Sequence, residues 1–292
     1  MKEIDYLTPE SLEDTLEILS IRGDEARIIA GGTDLIPQMR SGLLKPSLLI
    51  DPRLLSLDYI NLDNNIIRIG ACTTHTDILE SGILVKYLRL LGETASEIAG
   101  PPVRNRGTIG GNLVNASPAA DFAAPLLVYD AQLVLKRWGS ARVVPVDGFF
   151  TQPGKTIMKS DEIITEICVP LLPHGTGTKF IKLGKRKAMA ISVVSVAVSI
   201  TKDNNGAISI ARIALGSVAP TPIRVKSAEA FLLVNPPNDD VFAEAGEIAA
   251  SESSPISDIR ASDSYRKRMV SVLTKRALID AWNRIRQGID NE

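Results

Sequence analysis

Cysteine and histidine are scarce in this chain: Cys72, Cys168, His75 and His174 are the whole supply. The cysteines form no CxxC pair, and two thiols fall short of the four that usually ligate an iron–sulfur cluster. Two isolated histidines exclude a histidine-rich metal site. Aromatic residues make up only 4%, which leaves little for stacking single-stranded nucleic acid. An excess of one charge is also missing. The 33 basic and 34 acidic side chains give a net charge of −1, so no strong field gathers nucleic acid or an anionic membrane. The most apolar stretch, Ile191 to Ile200, is broken by Ser192, Ser195 and Ser199 and is too short to span a bilayer. The start, Met1-Lys2-Glu3-Ile4-Asp5-Tyr6, has early acids and no apolar run, which argues against a secretory signal. The expectation is a cytoplasmic chain with reduced thiols, no nucleic-acid partner and no membrane span.

What is present is an ordinary globular composition, 45% hydrophobic over 292 residues, enough for two or three domains. Thr8-Pro9 reads as a helix start, a hydroxyl cap followed by proline, with Leu12, Leu16 and Leu19 on one face. Strands are expected at Arg27–Ala30, Ser47–Asp51, Gln132–Lys136, Arg142–Val146 and Asp161–Pro170, and a hairpin around Asp63-Asn64-Asn65. Thr74 is the expected cap of a helix beginning near His75. Gly92 to Ala99 reads as a helix stopped by Gly100-Pro101-Pro102, since two prolines cannot continue it. Pro170 to Gly177 is the best candidate domain boundary. Beyond it, Ile191–Ile200 and Ala207–Leu215 flank an Asn205-Gly206 hairpin step. Helices follow at Val225–Leu233, Asp239–Ser251 and Ser264 to about Gln287.

Two glycine bends carry the chemistry. The first is Ala30-Gly31-Gly32-Thr33-Asp34-Leu35, and the second is Thr108-Ile109-Gly110-Gly111-Asn112. Paired glycines let a ligand reach backbone amides, and a neighbouring hydroxyl or amide side chain adds a hydrogen bond. One such bend alone is more often a tight turn; two suit a pyrophosphate held from both sides. Neither has the lysine of a P-loop or the GxGxxG spacing of a Rossmann turn. Asp121 follows the second bend. A carboxylate facing phosphate is repelled, so Asp121 fits better as an acceptor for sugar or ribityl hydroxyls, or merely as a cap for a helix starting at Phe122.

The chain resembles the FAD-binding medium subunit of the molybdenum hydroxylases, the family of xanthine dehydrogenase and aerobic carbon monoxide dehydrogenase. The resemblance covers nearly the whole chain. It rests on Ala30–Leu35, on Arg104-Asn105-Arg106-Gly107-Thr108-Ile109-Gly110-Gly111-Asn112, on Ala116–Asp121, and on later segments such as Phe180–Arg186 and Ala219–Arg224. It implies an α+β fold. A two-lobed FAD domain would span residues 1–175, divided near 55, and a C-terminal flavoprotein domain of 178–290 would hold a three-stranded antiparallel sheet and helices. It implies that Arg27, Ile28, Ile29, Ala30, Gly31, Gly32, Thr33, Asp34 and Leu35 wrap one side of the FAD pyrophosphate. Thr108, Ile109, Gly110, Gly111 and Asn112 close the other side. Asp121 takes ribityl or ribose hydroxyls, Ile98 lies against the adenine, Ile164 touches the cofactor, and Lys182 reaches the flavin from the second domain. Ile191 lies over the ring system, where carbon monoxide dehydrogenase-like members carry tyrosine. That difference tilts the reading toward the xanthine dehydrogenase type.

Each assignment has a plainer alternative. Ile98, Ile164 and Ile191 also fit simple core positions. Lys182 lies in a basic run with Lys179, Lys185, Arg186 and Lys187, which fits a solvated face. His75 reads as a surface residue of a helix's first turn and the cysteines as small buried thiols, while Arg104 and Arg106 fit either facing the pyrophosphate or forming salt bridges. By the same resemblance, a large subunit carries the molybdenum cofactor and a small subunit carries two [2Fe–2S] clusters. Electrons pass through FAD to NAD or another acceptor. The alternative is a self-contained FAD-dependent oxidoreductase; against it, the chain is expected to lack a histidine near the bends for covalent flavin. A third reading, a scaffold without flavin, is opposed by both bends being intact.

Overall fold

The structure, a computed structural model, describes residues 4–186 and 188–287. Lys187 and the expected domain end at 290 lie outside the described residues.

The first lobe contains β1 (Asp5–Leu7), α1 (Leu12–Arg22), β2 (Ala26–Ile28), α2 (Leu35–Arg40) and β3 (Leu48–Ile50). Its strands run parallel in the order β1-β3-β2. Leu16, Leu19, Ala26, Leu48 and Ile50 close its small core, with Leu12 packed against it. Helix α1 starts later than Thr8-Pro9 implied. Its cap is Ser11, whose Oγ accepts from Asp14 N at 3.0 Å. The nearer hydroxyl satisfies an amide of the first turn that Thr8 is too far back to reach.

The second lobe is a five-stranded antiparallel sheet, β4-β5-β10-β6-β7, covered on one face by short helices. Its strands are β4 (Ile60–Asp63), β5 (Ile66–Gly70), β6 (Gln132–Arg137), β7 (Ser140–Pro145) and β10 (Ile163–Pro170), with a small hairpin of β8 (Phe150–Gln152) and β9 (Lys155–Thr156). The helices are α3 (His75–Glu80), α4 (Gly82–Tyr87), α5 (Arg89–Glu97), α6 (Pro101–Arg104), α7 (Ile109–Val114) and α8 (Ala123–Val128). Thr74 caps α3 through a reciprocal box with Asp77. The two prolines do end α5, but they also start α6, since a missing N–H costs nothing at a first turn.

The third unit is a four-stranded antiparallel sheet, β11-β12-β13-β14. It comprises β11 (Thr176–Leu183), β12 (Val194–Lys202), β13 (Ile208–Gly216) and β14 (Ile223–Arg224), followed by α9 (Lys226–Leu233), α10 (Asp239–Glu252) and α11 (Asp263–Gln287). The two-residue β14 extends the three long strands expected from the sequence. Strand β12 is buried on both faces. Val194, Val196, Val198 and Ile200 enter the helix-side core, while Ala197 belongs to the core of the second lobe. That explains the imperfect Val/Ser alternation: small Ser195, Ala197 and Ser199 let α8 approach the other face.

The third unit is bolted to the second. Arg284 on α11 donates to Glu93 Oε1 at 2.6 Å and to Thr178 O at 2.7 Å. Arg224 donates to Asp130 Oδ1 at 2.9 Å, and Ser217 N to Pro118 O at 2.8 Å. Among the described residues, no helix is long and apolar enough to cross a membrane.

Candidate functional site

The two glycine bends meet. β2 runs into Ala30–Thr33, and α2 then carries the chain away. A Cβ on Gly31 would lie 1.9 Å from the Arg106 carbonyl oxygen and 3.0 Å from Gly107 Cα, so glycine is what lets the first bend lie against the entrance to the second. Gly32 has φ +71, a conformation that glycine adopts freely. Gln38 Nε2 on α2 donates to Asn115 Oδ1 at 2.9 Å, tying the lobes together one step further along.

The bends offer different groups. In the first, the N–H groups of Ala30, Gly31, Gly32 and Thr33 make no hydrogen bond among the described residues, and all four residues are only half-buried. In the second, main-chain donation is mostly spent within the fold. Ile109 N donates to Thr73 O, Gly110 N to Ala71 O, Asn112 N to Thr108 O, and Gly111 N to Thr108 Oγ1 at 3.1 Å. Main-chain donors are therefore left free at the first bend, while those of Ile109–Asn112 in the second are taken up by the fold. The reason is tertiary: the β5–α3 turn lies against Ile109 and Gly110 and takes their N–H groups. The second bend presents instead the exposed Cα of Gly111, where a Cβ would meet only Thr108 Oγ1 at 2.9 Å. Beside it, Asn112 Oδ1 is buried without a partner.

Asp121 and Lys182 come together across the domain boundary. Lys182 Nζ lies 2.6 Å from Asp121 Oδ2, with side chains 4% and 9% exposed. It also donates to Glu97 O at 2.9 Å. Lys182 is thus no solvated surface lysine, and Asp121 is no helix cap: α8 is preceded by Phe122, which makes no side-chain cap bond. Burial pushes the Asp121 carboxyl up to about 6, against the pull of Lys182. Its Oδ1 is buried with no partner. Ile98, next to Glu97, is buried and its carbonyl accepts from Arg104 Nη1 at 2.9 Å. Ile164 is buried in the main core beside a bulge in β10. Ile191 is 64% exposed, so it is not a core residue. It follows residues 184–186 and 188–190, which line a cleft of about 700 Å³ together with Glu97, Gly100, Arg104 and Lys182. Of the first-bend residues, Arg27 points along its own strand to Ala26 O at 2.6 Å, while Ile28, Ile29 and Leu35 are half-buried and Asp34 is exposed.

His75 departs from its surface reading. It is 4% exposed, its ring lies 5.2 Å from that of Phe122, and its backbone N–H donates to Gly107 O at 3.0 Å. Burial, helped by the charge of Arg104, lowers its imidazole to about 4. A histidine therefore does lie beside the second bend, wedged between it and Phe122. Sequence distance hid this; the one local signal was the Thr74 cap, which placed His75 on a helix but not beneath what. Arg104 and Arg106 do not form salt bridges among the described residues. Arg104 braces the Ile98–Ala99 carbonyls, and Arg106 contributes its backbone to Gly31. The cysteines are only partly buried; burial pushes Cys72 up to about 12 and Cys168 up to about 11, which keeps both as thiols.

Free amides at one bend, an open glycine at the other and orphaned acceptors at Asn112 and Asp121 fit a dinucleotide with a diphosphate and a polyol. On this fold that arrangement defines a two-lobed FAD-binding flavoprotein. Residues 2–172 match the family described as FAD binding domain in molybdopterin dehydrogenase, and residues 179–281 the CO dehydrogenase flavoprotein C-terminal domain. The chain is 36% identical over 281 residues to the carbon monoxide dehydrogenase medium chain of Hydrogenophaga pseudoflava, covering 96% of this chain and 97% of the relative. It is 35% identical over 279 residues to the xanthine dehydrogenase FAD-binding subunit of Escherichia coli O157:H7, covering 94% and 95%. The solved carbon monoxide dehydrogenase from Hydrogenophaga pseudoflava superposes with a TM-score of 0.93 at 36% identity, covering 97% of this chain and 98% of that one. The chain belongs to the family of FAD-binding medium subunits of molybdenum hydroxylases, and is an oxidoreductase subunit. Relatives of the two types match almost equally well and do not separate them.

Proposed function

We propose that this chain relays electrons within a molybdenum hydroxylase. Its partners would be a small subunit with two [2Fe–2S] clusters and a large subunit with the molybdenum cofactor. When bound, FAD supplies the redox exchange between the partner's clusters and a final acceptor, NAD or another. In this reading Ala30–Thr33 donate main-chain N–H groups to the diphosphate, with Arg27–Ile29 and Asp34–Leu35 framing that bend. Thr108–Asn112 flank it with an open Gly111, Asp121 accepts a polyol hydroxyl, and Lys182 holds a positive charge at the flavin side. Ile98, Ile164 and Ile191 serve as aliphatic contacts. The two lobes, divided near residue 55, and the C-terminal domain beyond 170–177 enclose the cofactor between them. Ile191, aliphatic where carbon monoxide dehydrogenase-like members carry tyrosine, supports the xanthine dehydrogenase-like type.

The observation that carries the reading is the direct contact of the two bends, Gly31 on Arg106–Gly107, with an unpaired acceptor at Asn112 in the second bend and another at Asp121 further along the chain. The test is to purify the full chain and offer excess FAD. A yellow protein is expected, with stability raised by about 2.7 kcal/mol at a hundredfold excess over Kd. A well-folded chain that stays colourless overturns the reading. Native mass spectrometry with metal analysis then decides the setting. A complex containing molybdenum and iron supports the relay, whereas a yellow monomer that oxidises an alcohol alone supports a self-contained oxidase.

A further inference from the structure

A buried carboxylate with one oxygen bonded and the other orphaned is an expensive arrangement. The charge has left water, and one of its acceptor sites has no donor. Asp121 is such a group: Oδ2 is held by Lys182 Nζ at 2.6 Å, while Oδ1 is buried without a partner. The ion pair spans two domains, from the turn before α8 to β11, and its cation is fixed a second time by Glu97 O at 2.9 Å. The Glu97 carboxylate at the end of α5 also acts on Asp121, and with the same sign of charge. Breaking either half would leave a largely buried charge uncompensated.

We infer that Asp121 is a positioning residue with two hands: Oδ2 fixes the Lys182 ammonium across the domain boundary, and Oδ1 accepts a hydroxyl of the bound FAD. Flavin binding and seating of the C-terminal domain are thereby coupled through one carboxylate. This rests on the FAD reading above and goes beyond it. There the two residues are separate contacts; here they act as a unit. An ionised carboxylate is acceptor-only with room for several donors, so both bonds form at once. The pair also keeps the local charge near neutral, because the cation never faces the flavin uncompensated.

The experiment uses the full-length chain loaded with FAD, in wild type, Asp121→Asn, Lys182→Met and the double variant, with Kd for FAD and the flavin midpoint potential as readouts. Each single variant should raise Kd. The double variant should fall short of the product of the two single effects by about threefold or more, as contacting residues do. The potentials should move in opposite directions. Asp121→Asn leaves the cation uncompensated, favours the electron-rich reduced state and shifts the potential upward; Lys182→Met shifts it downward. A merely structural defect has no reason to split the sign. Lys182→Arg keeps the charge and should leave the potential where it is, which keeps the test available if Asp121→Asn does not fold. Multiplicative Kd effects, or potentials that shift the same way or not at all, overturn the linker. If wild type binds no FAD, both this inference and the function fall; if wild type binds FAD and the cycle shows no coupling, only the inference falls.

Discussion

At the scale of single residues, the glycines separate two kinds of necessity. Gly31 is required by the fold, because a Cβ there would sit 1.9 Å from a main-chain oxygen. In the proposed reading Gly111 serves the ligand, because a Cβ there would meet only the Thr108 hydroxyl. Gly111→Val should therefore keep a cooperative melt near that of wild type and lose FAD retention, read by absorbance after gel filtration. Gly31→Ala should lose both. Normal flavin content in Gly111→Val would remove the second bend from the site. His75 supplies a pH signature. Its imidazole is lowered to about 4 by burial, against roughly 6.5 in an unfolded chain. The fold thus favours the neutral ring, and its contribution is complete above about 6.5 and lost as pH falls toward 4. Asp121 works the other way. Raised to about 6, it binds its proton more tightly when folded, so acidification through 6 adds stability. The His75 share is read by difference: denaturation of the FAD-free full chain should lose less stability between pH 7 and pH 4 in His75→Gln than in wild type. Parallel profiles would show that the ring does not titrate against the fold.

Secondary-structure elements show how closely the third unit is fitted. Strand β11 passes under α11 with Gly177 at the crossing. A Cβ there would stand 2.1 Å from Ala281 O and 2.8 Å from Ile285 Cγ1. Gly177→Ala must lift the helix or bend the strand, a cost of about 1–3 kcal/mol for overpacking, visible as a lower denaturation midpoint. Because β11 also carries Lys182, the same change should weaken FAD binding from the far end of the strand. Thr74 illustrates the opposite, a local device. Its Oγ1 accepts from Asp77 N at 3.1 Å while Asp77 Oδ2 accepts from Thr74 N at 2.9 Å. Thr74→Ala should cost about 1 kcal/mol.

For the whole molecule, the question is whether the C-terminal domain is an appendage or a wall of the site. Arg284 joins α11 to α5, Arg224 joins β14 to the end of α8, and Ser217 joins β13 to the loop before Asp121. Bonds this distributed predict one calorimetric transition for the full chain. Arg284→Ala removes the Glu93 contact and leaves that carboxylate with Arg89 alone, an exposed i,i+4 pair at 3.4 Å. Such a pair is worth little. The variant should show a broadened or split transition and faster FAD loss; a single unchanged transition would mean that the remaining contacts suffice.

The sequence alone determined what is local. The Asp63–Asn65 hairpin, the Thr74 cap, the Asn205-Gly206 turn and the two glycine bends are each specified by residues within a few positions of one another, and turn, cap and pleat geometry are short-range. Resemblance extended this to the family and its cofactor. Only the tertiary structure decided partners. It put Asp121 on Lys182 and slid His75 beneath Gly107. It spent the amides of the second bend on Thr73 and Ala71, and exposed Ile191 while burying Ile164. Those outcomes depend on which surfaces the chain topology brings face to face, and no spacing along the chain encodes a hydrogen bond between residues that meet only after three sheets have packed.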